Sequence, residues 1–152
     1  MRAKRTIAVI TALLGLVLAT AGTASASPGS WVPYGNNNPI TGSSAKWVCG
    51  GSEVIAENML AQVCAIRSGN GTGTAVQGAV IIRNNRSSLA SASARVVMWE
   101  TGGGTYDYWY CSSSGIAAHS WSVCFGASFG HAGKVYATGD AKNVALGYTG
   151  DI

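Results

Sequence analysis

The sequence predicts an all-β domain, and three observations carry that prediction. Short runs rich in Val, Ile, Thr, Tyr and Trp recur along the chain, separated by turns rich in Gly, Asn and Ser. Apolar residues recur at helical spacing in one stretch, 52–68. The four cysteines form an even set, as in disulfide-stapled exported domains. Regular alternation of short strands and turns favours an immunoglobulin-like β-sandwich of about seven strands with two disulfides, and a small closed barrel is the alternative.

The first 26 residues have the pattern of a secretory signal peptide. A basic start precedes an apolar run from Ile7 to Leu18, which is too short for a membrane anchor. The small residues Ala24-Ser25-Ala26 then predict cleavage before Ser27. We therefore expect a secreted, extracellular protein that has no membrane insertion after the signal is removed.

The remainder has the size of one domain and carries little net charge. We expect an extended lead-in over 27–44 and a single β-sandwich domain over 45–152. The whole chain has a formal charge of +4, but three of its ten Lys and Arg residues fall in the predicted signal, which leaves seven against six acidic residues. A nearly neutral domain lacks the basic surface that nucleic acids or anionic membranes require, so neither is predicted as a partner. No motif predicts a cofactor.

The segment after the lead-in contains the least certain element. Lys46–Cys49 is predicted as a strand. In 52–68, four apolar residues recur near helical spacing: Ile55, Met59, Val63 and Ile66. A helix is therefore an alternative there. We favour a strand over 59–67, because Gly69–Gly73 is a natural hairpin link to the strongly strand-like segment 74–83.

The second half of the chain reads as strands joined by turns. Ala94–Thr101 and Tyr106–Cys111 are predicted to pair across the Gly102–Gly104 turn. A longer connection, Ser112–Ser120, leads to further strands at 121–125 and 134–138, with a turn at 130–133 between them. The tail from residue 145 is predicted either to add an edge strand or to stay loose.

The four cysteines allow three disulfide pairings. We favour Cys49–Cys64 and Cys111–Cys124, because each pair brackets a short connection between expected neighbouring strands. A zinc site is not predicted, since no C-x-x-C pair or close Cys–His spacing is present.

The sequence leaves open which face of the strand around Trp109 is buried. If Trp121 and its alternating partners face the core, Cys124 and Cys111 point outward and the tyrosines at 106, 108 and 110 turn inward. If Trp109 is in the core instead, the three tyrosines form an exposed row. A β-bulge could reconcile either version.

This tyrosine row is the main candidate binding site. Tyr106, Tyr108 and Tyr110 could stack against sugar rings, while their hydroxyls and Asp107 form hydrogen bonds. The alternative is that these tyrosines simply fill a half-buried strand.

Catalytic residues are not predicted, because no serine-nucleophile elbow, phosphate loop or metal-ligand spacing is present. The sequence therefore favours a non-catalytic extracellular module that binds a cell-wall glycan or an extracellular protein. One alternative is a small protease inhibitor or toxin-like effector that acts through the Ser112–Ser120 loop. A second is a small extracellular hydrolase, which would require His119, Asp107 and Glu100 to converge in one pocket.

Several segments carry a resemblance to exported bacterial proteins. The signal, WVPYG, VQGAVIIRNN and WSVCFG resemble small secreted proteins of actinomycete type, which implies export but no particular activity. The chain is also similar in size and disulfide number to antitumour-antibiotic carrier proteins of the neocarzinostatin kind. Their cysteine loops are shorter than those here, so their ligand pocket is not carried over.

Overall fold

The computed structural model describes residues 26–69 and 74–152, and within them every helix or strand assigned is a β-strand. The strands form two sheets packed against each other, which confirms the prediction of an all-β, sandwich-like fold. The immunoglobulin-like strand order stays a prediction. The predicted signal peptide, 1–26, lies outside the described residues except for Ala26.

Twelve strands are present in the described part of the chain. They are β1 (Ser27–Pro28), β2 (Ser30–Gly35), β3 (Lys46–Cys49), β4 (Glu53–Ala56), β5 (Met59–Ser68), β6 (Ala75–Asn84), β7 (Ala90–Glu100), β8 (Thr105–Ile116), β9 (Ser120–Phe125), β10 (Phe129–Gly130), β11 (Val135–Ala141) and β12 (Val144–Tyr148). The number exceeds the expected seven mainly because the lead-in and the tail also pair with the sheets.

The two sheets share the chain almost evenly. The first sheet has the order β1-β8-β7-β11-β12, and the second has the order β2-β9-β6-β5-β3, with β4 on β5 and β10 on β6. Strand β1 runs parallel to β8, and the other pairs are antiparallel. The segment predicted as an extended lead-in thus contributes β1 to one sheet and β2 to the other.

The main core lies between the sheets. The second sheet contributes residues such as Val63 and Val80, and the first contributes Val96, Met98 and Trp109, all nearly inaccessible to solvent. The sheets approach closely at Gly78, where an added Cβ would lie 2.7 Å from Val96 Cγ2. A side chain is therefore excluded at this position by the packing of the opposite sheet.

A second apolar cluster covers the outer face of the second sheet. Its buried members are Cys64, Ile66, Ala79, Ile81 and Val123. Partly buried residues from β2, β3, β9 and the 36–45 segment pack over them, among them Tyr34, Ile40, Trp47, Trp121 and Phe125. The second sheet is thus apolar on both faces, which leaves the outer face of the first sheet as the open one.

Both favoured disulfides are confirmed, but one joins strands within a sheet and the other joins the two sheets. Cys49–Cys64 joins β3 to its neighbour β5 within the second sheet. Cys111–Cys124 joins β8 of the first sheet to β9 of the second, with a Cα–Cα distance of 6.0 Å. The second bond therefore crosses the core instead of joining neighbouring strands, as the spacing argument had assumed.

The stretch 52–68 forms strands β4 and β5, so the helical alternative is wrong. Met59 and Val63 are buried on the core side of β5, and their spacing of four satisfies the two-residue period of a strand as well as that of a helix. Ile55, which is also buried in the main core, lies on the preceding strand β4. Ile66 breaks this period and faces the second apolar cluster. Asn58, with a φ of 55°, makes the turn between the strands.

The predicted Ser112–Ser120 connection is mostly strand. Strand β8 continues to Ile116 because β7 begins at Ala90, and Ala90 pairs with Ile116 and Ala92 with Ser114. Only 117–119 connect β8 to β9. The tail adds the edge strand β12.

Candidate functional site

The position of Trp109 decides which tyrosines reach solvent. Trp109 and Cys111 are buried in the main core, so Tyr108 and Tyr110 lie on the opposite, outer face of the first sheet. Trp121 and Phe125 face the second apolar cluster, while Cys124 faces the main core. The conflict found in the sequence disappears because the second sheet buries both of its faces.

Tyr106 is separated from the other two tyrosines by a register shift. Met98 pairs with Asp107 and Trp99 pairs with Thr105, so Tyr106 is the extra residue of a bulge. Its ring lies 5.0 Å from that of Phe129, which itself stacks on Trp109. Tyr106 is therefore on the Trp109 side of the strand.

The Tyr106 hydroxyl belongs to a small polar cluster there. It lies 2.7 Å from Nδ1 of His131, and their rings pack edge to face. Burial, together with the charge and a hydrogen bond of the Glu100 carboxylate, raises the pKa of Tyr106 above its ordinary value. The raised pKa favours the protonated, neutral form of this hydroxyl.

Asp107, the fourth predicted binding residue, accepts hydrogen bonds from β1 and from within its own strand, β8. Its Oδ2 accepts a hydrogen bond from Ser27 Oγ at 3.4 Å, and its Oδ1 accepts one from the Tyr108 backbone N–H at 2.8 Å. Of the four predicted residues, the structure therefore places only Tyr108 and Tyr110 together on the open face.

That open face is built from paired rows of β7 and β11. Outward-facing residues of the two strands lie opposite one another in three rows: Trp99 with Tyr136, Val97 with Thr138, and Arg95 with Asp140. Strand β8 extends the last two rows with Tyr108 and Tyr110, and β12 extends them with Tyr148 and Ala145. We call this surface the outer face of the first sheet.

One end of the outer face is aromatic. The rings of Trp99 and Tyr136 are nearly parallel, at 9° and a centroid distance of 6.2 Å, and Trp99 Nε1 donates to Thr138 Oγ1 at 2.8 Å. Tyr148 is 74% exposed. An open cavity of about 610 Å³ lies between Tyr136, Thr138, Tyr148 and residues 149–151. We call it the aromatic cavity.

The other end of the outer face is polar. Arg95 Nε and Asp140 Oδ2 form an ion pair at 2.7 Å. Together with Tyr110, Asn143 and Ala145 they line a second open cavity of about 470 Å³, which we call the polar cavity. A guanidinium has five N–H donors and a carboxylate has two oxygens, so this pair can bind further polar groups beyond each other.

The residues considered for a hydrolase do not converge. Glu100 lies where β7 turns into β8, and Asp107 lies near the start of β8. His119 lies beyond the far end of β8, where its carbonyl accepts a hydrogen bond from Arg83. Strand length places His119 roughly 35 Å from Glu100. In residues 26–69 and 74–152, no three His, Cys, Asp or Glu side chains gather as a metal site.

Comparison with protein-family models, with curated proteins and with solved structures gave no match to this chain. No helix in the described part of the chain has the length and apolar character needed to cross a membrane. The site must therefore be interpreted from its own geometry.

The sequence analysis did not predict that five residues of the outer face belong to one site: Arg95, Trp99, Tyr136, Asp140 and Tyr148. The two-residue period of ARVVMWE and VYATGDA does place the first four on a common side of their strands. What the sequence did not show is that β11 pairs with β7, which brings the two sets together.

Proposed function

We propose that this protein is a secreted, non-catalytic extracellular module that binds a cell-wall glycan through the outer face of the first sheet. The single observation that carries the proposal is the continuous surface in which exposed aromatic rings, the Thr138 hydroxyl and an Arg–Asp pair share one side of a sheet.

The side chains on this face suit sugars for a chemical reason. The apolar C–H faces of a pyranose ring pack against aromatic rings such as those of Tyr136 and Tyr148, which line the aromatic cavity. The sugar's hydroxyl groups need donors and acceptors at the edge of the ring, which Thr138, Arg95 and Asp140 supply. The Cys111–Cys124 disulfide ties β8 of this sheet to the second sheet, so the binding groups are held in place before the ligand arrives, which lowers the entropy cost of binding.

The compartment supports a glycan of the cell surface. Two disulfides are consistent with an oxidising, extracellular location. The predicted signal peptide supports export, which would bring the protein into contact with cell-wall glycans.

The test is binding of the oxidised protein to insoluble peptidoglycan, chitin and cellulose. Tyr110→Ala combined with Tyr148→Ala removes two rings that are 44% and 74% exposed. We expect at least about a tenfold increase in Kd, since each ring contributes about 1 kcal/mol or more. The matched control is Val54→Ala combined with Leu89→Ala, which shortens two similarly exposed side chains outside this face.

Retention of the native protein and the control, but not of the tyrosine variant, supports the proposal, provided that thermal melts of all three agree. Absence of binding to every polysaccharide contradicts it, as does equal binding by the tyrosine variant.

A further inference from the structure

We propose that the ligand is a neutral, linear oligosaccharide that lies along β11 and occupies the aromatic and polar cavities as two subsites. This inference rests on the proposed function and specifies the class of glycan. It follows from the spacing of the two cavities, from the groups between them and from their charge.

A single sugar is too short to contact both Tyr136 in the aromatic cavity and Asp140 in the polar cavity. Tyr136 lines the aromatic cavity and Asp140 lines the polar cavity, four residues further along the same strand. Four residues of a strand span roughly 13 Å, which is longer than one pyranose ring. A ligand that reaches from Tyr136 to Asp140 must therefore be an oligosaccharide.

An oligosaccharide that follows β11 crosses the row of Thr138, which also lines the aromatic cavity. Thr138 faces outward midway between Tyr136 and Asp140, and its partner across β7 is Val97. Both are short β-branched side chains, so this row is low at its centre, between Tyr108 at one end and Tyr148 at the other. The Thr138 hydroxyl accepts a hydrogen bond from Trp99, which leaves its own proton able to reach a sugar oxygen.

The charge of the two cavities favours a neutral glycan. Three charged residues line them: Arg95, Asp140 and Asp151. Arg95 is already paired with Asp140, and the Asp151 carboxylate, which accepts a hydrogen bond from Thr101, adds one formal negative charge among these lining residues. An acidic polysaccharide would meet this negative charge without a compensating cation, whereas a neutral chain meets only donors and acceptors.

The test measures Kd by calorimetry for cello-oligosaccharides and for N-acetylated chito-oligosaccharides of increasing length, beside acidic oligogalacturonides. We expect affinity for one neutral series to rise with length until both cavities are filled, and then to level off. We expect the acidic series to bind at least about tenfold more weakly than the neutral one.

Three variants separate the subsites. Arg95→Ala removes the cation of the polar cavity and is expected to weaken the longer oligomers about tenfold, which flattens the length dependence. Asn143→Gly removes a second polar side chain while keeping a residue that tolerates the φ of 65° at this turn. Tyr148→Ala, at the aromatic cavity, is expected to weaken oligomers of every length.

The outcomes distinguish the two-subsite inference from the proposed glycan-binding function on which it rests. Glycan binding that is independent of length, insensitive to both polar variants or stronger for the acidic series overturns the two-subsite inference alone. Failure of the native protein to bind any soluble oligomer or any insoluble polysaccharide overturns the proposed function itself.

Discussion

Gly139 is the position where a single methyl group should most directly disturb the site-bearing strand. It lies in β11 between Thr138 and Asp140, but faces the core instead of the outer face. A Cβ at this position would lie 2.7 Å from the backbone oxygen of Arg95, and 3.1 and 3.2 Å from methyl groups of Val80 and Val63.

The loss of unfolding free energy expected for Gly139→Ala follows from these distances. Non-bonded heavy atoms prefer a separation of about 3.5 Å or more, so the strand would have to move by roughly 0.8 Å. The nearest atom belongs to the backbone of the neighbouring strand β7, which no rotamer change can relieve. Overpacking of this kind costs about 1–3 kcal/mol, and we expect about 2 kcal/mol with a fall in Tm of roughly 6–10 °C.

The assay is chemical and thermal unfolding of the oxidised protein, beside the control Gly130→Ala. Gly130 is also in a strand, yet an added Cβ there would have no neighbour within 4 Å and its φ is not positive. The control should stay within about 0.5 kcal/mol of the native protein. If Gly139→Ala unfolds at the same denaturant concentration as the control, the close approach of β11 to β7 is not as described.

Three further predictions concern the core and the polar cluster. Replacing Cys111 and Cys124 by Ala should lower the unfolding free energy by about 3 kcal/mol in denaturant titrations, because the bond closes a loop with a sequence separation of 13; an unchanged midpoint would contradict this. Asn84→Ala should cost about 3 kcal/mol in the same assay, since its buried amide donates to three backbone oxygens that would lose their partner. Glu100→Gln should lower the pKa of Tyr106 toward its ordinary value in an ultraviolet titration. The pKa of Tyr106 is higher in the folded state than in the unfolded state, so the folded protein is stabilised while this hydroxyl is protonated. The native protein should lose that stability as the pH rises from the ordinary tyrosine pKa through the raised one. Glu100→Gln should reduce this loss.

The strands were largely predictable because their signals are local. The apolar alternation of 74–83 and 94–101 appears in β6 and β7, and the glycine turn at 102–104 joins β7 to β8 as expected. The strand limits were predicted less well. Ala, Ser and Gly in ASASA and SSSG carry weak strand preference, so their pairing between β7 and β8 depends on the partner strand.

The candidate site was predictable only in part, for a different reason. The choice of Tyr106 assumed an unbroken two-residue period along β8, and the bulge beside Met98 turns this residue toward Phe129 and His131. The aromatic richness of the sheet was visible in the sequence. Its concentration at Trp99, Tyr136 and Tyr148 was not.

The sequence by itself determined that this protein is a β-structured, disulfide-bonded chain, because strand propensity, turn residues and cysteine spacing act over short distances along the chain. The tertiary structure alone decided which faces are buried. The second sheet packs apolar side chains on both of its faces, so the outer face of the first sheet remains the open one. It also decided that β11 lies beside β7, which places Arg95 against Asp140 and Trp99 against Tyr136. These contacts join residues about forty positions apart, and a pattern within one strand carries no information on which strand will become its neighbour.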